Sequence, residues 1–152
     1  MISKTGLYVI RALAELAKIP EDTWLGTAIL AKQIDAPVNY LGKLLHILAR
    51  ERVILSQKGI RGGVRLAQPP HTISLYRALE PFENFQRWHE CLLGQEGCPD
   101  VAPCALNARW APVREQVLRF LRETTAADLI ASPARVEVPP AEPQAASEHA
   151  PV

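Results

Sequence analysis

The sequence predicts a mostly α-helical fold: a winged helix-turn-helix with a long C-terminal dimerisation helix. Three observations point there. Leucines recur at helical spacing along residues 38–51, a three-glycine turn (KGIRGG, 58–63) separates two β-prone runs, and apolar residues from 104 to 124 advance in alternating steps of three and four.

Each element has its own warrant. Residues 4–19 place Leu7, Ile10, Leu13, Ala14 and Ala17 at helical spacing after Ser3 as N-cap, and Pro20 ends that helix. Thr27 caps a short second helix over about 28–34. Asp35-Ala36-Pro37 forms a turn, with proline suited to an early helical position. A third helix over about 38–51 turns Leu41, Leu44, Leu45 and Leu48 inward. Residues 53–57 read as a short strand and 64–67 as its return, joined by glycines that permit positive φ. Ser74 opens a brief helix within 73–82.

The long helix, about 104–124, carries Leu106, Trp110, Val113, Val117, Phe120, Leu121 and Thr124 along one side, and Pro112 kinks or splits it near residue 111. Too few other helices remain to cover that side, so the pattern predicts a homodimer joined through Trp110, Val113, Val117 and Leu121. The last twenty residues hold five prolines and almost no large apolar groups, which predicts a disordered tail. The chain thus divides into a DNA-binding unit (1–70), a linker helix with a cysteine-bearing loop (71–103), a dimerisation helix (104–130) and a tail (131–152).

The net charge of +1 hides an asymmetry: residues 1–70 carry +5 and residues 71–152 carry −4. An N-terminal basic unit suits a polyanion. Asn39, Tyr40, Lys43, His46 and Arg50 lie off the leucine stripe of the third helix, Lys58 and Arg61 occupy the wing tip, and Arg65 follows on the strand. Amide, phenol and cationic groups are what base-edge and phosphate contacts on double-stranded DNA require. No run approaches the roughly 20 apolar residues that a membrane span needs. The first residues lack a signal-peptide pattern, so the expected compartment is the cytoplasm.

All three cysteines fall within HECLLGQEGCPDVAPCALNARW, spaced C-x6-C-x5-C. An odd count in a reducing compartment speaks against structural disulfides. Zinc sites usually show a short C-x2-4-C pair, which is absent here. A loop with glycine and proline can bring three thiolates, the usual ligands of iron–sulfur iron, around one centre. Redox-active thiols without metal stay open as the alternative. No C-x-x-C pair, nucleotide loop or general base accompanies the thiols, which disfavours an enzyme.

These stretches together resemble the bacterial iron–sulfur winged-helix transcriptional regulators of the IscR and NsrR type. The resemblance covers about residues 3–130 and rests on TGLYVIRAL, VNYLGKLL, KGIRGGVRLAQPP, RALEP, the three cysteines and TTAADLI. It implies a homodimer on a palindromic operator, with a 2Fe-2S or 4Fe-4S cluster held by Cys91, Cys98 and Cys104. The implied output is regulation, as a repressor, by nitric oxide, redox state or iron–sulfur status. Cluster loss would shift operator occupancy through linkage. The rival is a cluster-free thiol switch in which the same cysteines oxidise directly.

The fourth ligand departs from the pattern. One branch of the family has a histidine three residues after the third cysteine, where this chain has Asn107. The nitric-oxide branch can use an acidic residue early in the first helix, where this chain has Leu7, although Arg11 matches an arginine of that branch. His89, Asp100 and Asn107 are the candidate substitutes, with Glu90 nearby.

Overall fold

The computed structural model describes residues 2–59, 61–89 and 105–131. Its elements are α1 (Lys4–Ala17), α2 (Thr27–Gln33), α3 (Val38–Arg50), β1 (Ile54–Gln57), β2 (Gly63–Leu66), α4 (Leu75–Leu79), α5 (Ala105–Glu123) and α6 (Asp128–Ala131). Single 3-10 turns stand at Pro70–Thr72 and Phe85–His89. The fold is mostly helical with a two-stranded antiparallel hairpin, as the sequence predicts. Of the expected tail, 131–152, Ala131 ends α6 and residues 132–152 lie outside the described residues.

Ser3 caps α1: its hydroxyl accepts from the Gly6 N–H at 3.1 Å, satisfying one of the unpaired donors of a helix start. The inner face of α1 runs Gly6, Val9, Leu13, Leu16 and Ala17, so Leu13 and Ala17 are buried as expected. Leu7 is exposed, however, and Ile10 and Ala14 are only half-buried. An alanine-rich helix has weak contrast between its sides, and its packing on α4 turns the buried stripe by one residue.

Leu25 pairs with Val64, its N–H donating to the Val64 carbonyl at 3.0 Å and its carbonyl accepting at 2.9 Å. That bridge holds the chain extended up to Gly26, which becomes the N-cap of α2 and leaves Thr27 as its first residue. Asp35 turns with a positive φ of 53°, and Pro37 is the N-cap of α3, one position before the early helical place expected for it. In α3 all four leucines, Leu41, Leu44, Leu45 and Leu48, are buried.

The hairpin pairs Ile54 with Leu66 and Gln57 with Gly63. Its tip closes by the Gly62 N–H donating to the Gly59 carbonyl at 3.0 Å, with Gly59 at φ 111°. A Cβ on Gly62 would run into the Gln57 carbonyl, so the tip requires glycine there.

Ser74 caps α4. The end of α5 returns to this point: Leu75 N–H donates to the Thr124 carbonyl and Ala126 N–H to the Ile73 carbonyl, both at 2.9 Å. Asp128 accepts from the Thr125 hydroxyl and N–H, each at 2.7 Å, and these bonds, the hydroxyl first, hold its carboxyl below the usual range. α5 continues through Pro112 as one helical span instead of splitting near residue 111, so the proline costs one N–H bond without ending the helix. One buried cluster, from Val9 through Leu45 and Leu79 to Leu121 and Ala126, crosses the boundaries expected at residues 70 and 103. Among the described residues no helix is long and apolar enough to cross a membrane.

Candidate nucleic-acid interface and cysteine segment

Burying the leucine stripe of α3 leaves Asn39, Lys43, His46 and Arg50 exposed on the opposite side, at steps of four, three and four. They form one continuous stripe. Arg50 has an exposed partner, Glu51, at 3.4 Å, an ion pair of little worth that a phosphate can displace. Tyr40 is different. Its hydroxyl shares a 2.6 Å hydrogen bond with that of Thr5, and its ring meets Tyr8 edge-on at 6.0 Å. The structure thus ties Tyr40 to α1, whereas residue type alone assigns it to the DNA face.

Lys58 and Arg61 are exposed at the hairpin tip. Arg65 is turned the other way. Its guanidinium lies 4.8 Å from the centre of the Trp24 ring, donates to the Glu21 carbonyl and stands 3.7 Å from the Asp22 carboxylate. Alternation along β2 buries Val64 and sends Arg65 to the face that covers the α1–α2 connection. Arg65, expected to contact DNA, is held in this structure by Trp24, Glu21 and Asp22.

Cys91, Cys98, Cys104 and Asp100 lie outside the described residues, as does the side chain of His89. The flanks of this segment meet each other. Trp110 Nε1 donates to the Trp88 carbonyl at 3.2 Å, and Arg114 Nη1 reaches the same oxygen at 3.5 Å. Trp88 packs edge-on against Phe85 at 5.4 Å, and Phe85 stacks on Tyr76 at 4.8 Å. Arg114 is buried; its Nε has no hydrogen-bond partner among the described residues, and its nearest carboxylate there, on Glu115, is 3.9 Å away. Asn107 is half-buried on α5, less than one turn before Trp110. Sequence reasoning missed Arg114. Its position four residues after Trp110, on the same side of α5, was the available signal.

The apolar side of α5 is split. Leu118 and Leu121 are buried in the core of their own chain, so Leu121, expected in a dimer seam, is not on the exposed side of α5. Leu106, Val113, Val117 and Phe120 form a second stripe, exposed by 43, 48, 36 and 59%. Trp110 is half-buried beside it.

A basic helix stripe beside a basic, glycine-tipped hairpin, both carried on a three-helix core, defines a winged-helix DNA-binding regulator. The chain belongs to the Rrf2 family: residues 2–132 match the family described as "Iron-dependent Transcriptional regulator". It is 33% identical over 132 residues to a protein of Aquifex aeolicus described as an HTH-type transcriptional regulator, covering 86% of this chain and 91% of that one. It is 23% identical over 129 residues to the HTH-type transcriptional regulator IscR of Yersinia enterocolitica, covering 85% and 78%. The solved structure of CymR, the global cysteine regulator of B. subtilis, superposes with a TM-score of 0.71 at 25% identity, covering 86% of this chain and 95% of that one. These relatives are transcriptional regulators and not enzymes, and so is this chain.

Proposed function

We propose that this chain is a cytoplasmic, homodimeric repressor that binds a palindromic operator with an affinity set by an iron–sulfur cluster on Cys91, Cys98 and Cys104. The observation that carries it is the pinning of the cysteine segment. All three thiols fall in sequence between Trp88 and Trp110, which are joined by a hydrogen bond. Three soft sulfur donors suit iron–sulfur iron. Arg114 is buried at the stem of the segment, bonded to the Trp88 carbonyl, with its Nε–H without a hydrogen-bond partner among the described residues, and a buried cation there would favour anionic thiolates nearby. Three cysteine thiols in one segment are the donor chemistry an iron–sulfur cluster needs, and this supports the reading.

When bound, such a cluster would supply reactivity toward nitric oxide and oxidants. The protein's own part is to hold the loop. Trp110 and Arg114 hold its stems through the Trp88 carbonyl, and Asn107 would offer a cluster at most a weak oxygen ligand. The exposed stripe of Leu106, Val113, Val117 and Phe120 supports a second copy as its cover, since contiguous apolar patches on soluble proteins mark association. A twofold axis along α5 would present two copies of α3 and two wings to two half-sites, with Asn39, Lys43, Arg50, Lys58 and Arg61 toward the duplex.

The likeness to CymR favours a second reading, in which the same three cysteines act as a thiol switch without a cluster. Operator binding separates activity states under either reading. On a duplex obtained by selection, anaerobically prepared protein and protein treated with chelator and air should differ in affinity by about tenfold, within the usual range of allosteric coupling. Equal affinities contradict regulation through this loop.

A further inference from the structure

The segment that leads into the cysteines reaches the recognition helix through four side chains. Phe85 opens the turn that ends at His89, and its N–H donates to the Glu83 carbonyl at 3.0 Å. The Glu83 carboxylate accepts from the Ser3 N–H at 2.8 Å and from the Ser3 hydroxyl at 2.6 Å. That hydroxyl is the cap of α1. Two residues on, Thr5 is bonded to Tyr40 on the first turn of α3, where Tyr8 also meets the Tyr40 ring. Gly6 makes room for this arrangement: a Cβ there would run into Glu83 Oε1 and come within 2.7 Å of Ile2 Cγ2. The Ser3 hydroxyl thus commits its one donor to Glu83 while accepting from the Gly6 N–H of the helix.

We propose that Glu83 and Tyr40 are positioning residues that couple the segment entering the cysteine loop to the first turn of the recognition helix. Glu83 sets where α1 begins, and Tyr40 reads that placement through Thr5. Neither needs to touch DNA or a cluster. Hydrogen bonds at both ends of the first turn of α1, joined by the helix itself, make a physical path of the kind that can carry such coupling. The proposal deepens the reading above, which needs a path from loop to DNA, but the hydrogen bonds stand whether the loop carries a cluster or bare thiols.

Amide hydrogen exchange on the full-length protein tests it with the variants Glu83→Ala, Glu83→Gln, Tyr40→Phe and the double Glu83→Ala/Tyr40→Phe. Glu83→Ala should speed exchange at residues 41–43 by about fivefold, the factor corresponding to a typical net hydrogen bond, relative to residues 45–48 of the same helix. Glu83→Gln keeps an acceptor for Ser3 and should stay near wild type. In the Tyr40→Phe background, Glu83→Ala should add nothing further at 41–43. The proposal is overturned if Glu83→Ala leaves 41–43 unchanged, speeds 45–48 equally, or adds its full effect to that of Tyr40→Phe. The two experiments fail independently: equal operator affinities with coupled exchange would reject regulation through the loop and keep the coupling.

Discussion

The indole N–H of Trp110, on α5, donates to the carbonyl of Trp88 at 3.2 Å, so the two stems of the cysteine segment meet across 22 residues of sequence. Trp110→Phe keeps a ring in place and removes the donor. The expected result is a loss of about 1 kcal/mol in stability, read from the urea midpoint at constant slope, with faster proteolysis between residues 89 and 105. An unchanged midpoint and cleavage rate would show that the stems are held by other interactions.

The DNA face divides by side-chain commitment. Neutralising Lys43, Arg50, Lys58 or Arg61 should weaken operator binding and reduce the slope of log K against log salt by roughly 0.9 for each phosphate that no longer meets a cation. Arg65→Ala should leave that slope alone and lower stability instead, because its guanidinium is engaged by Trp24 and the Glu21 carbonyl. Unaltered slopes for all four surface cations would contradict the assigned DNA face.

The two stripes of α5 predict opposite outcomes. Val117→Glu and Phe120→Glu place charge on the exposed stripe and should yield folded monomers by sedimentation, with operator binding abolished. Leu121→Ala empties a buried site and should cost about 2–5 kcal/mol of stability. A Val117→Glu/Phe120→Glu protein that sediments as a dimer would move the interface elsewhere.

Asn107 tests the proposed cluster's fourth ligand. Cys91→Ala, Cys98→Ala or Cys104→Ala should each remove visible colour. Asn107→His replaces a carboxamide oxygen with an imidazole, a far better ligand for iron, and should slow loss of colour in air and in nitric oxide. Identical decay rates for Asn107→His and wild type would mean that residue 107 does not face the iron. Loss of colour in His89→Ala or Asp100→Ala would then identify the fourth ligand.

Most of the fold is legible in the sequence because its signals are local. The α3 leucines declare their face by period alone, and the glycines of 58–63 declare the hairpin. The α1 stripe shifts by a residue from its expected place because Gly6 and Ala12 are buried without being strongly apolar. Leu121 and Val117 look alike in sequence; only the return of the chain at Thr124 buries one and leaves the other out. Residue type alone makes Arg65 and Tyr40 DNA contacts, whereas their partners, Trp24 and Thr5, are 41 and 35 residues away in sequence and meet them only through the tertiary fold.

The most direct test of the central claim is the absorption spectrum of anaerobically purified full-length protein, taken with iron and acid-labile sulfide analysis. The account predicts visible charge-transfer bands from thiolate-bound iron, iron and sulfide in comparable stoichiometric amounts, and loss of all three in the cysteine variants. A colourless protein, whether it carries zinc or no metal, would contradict it.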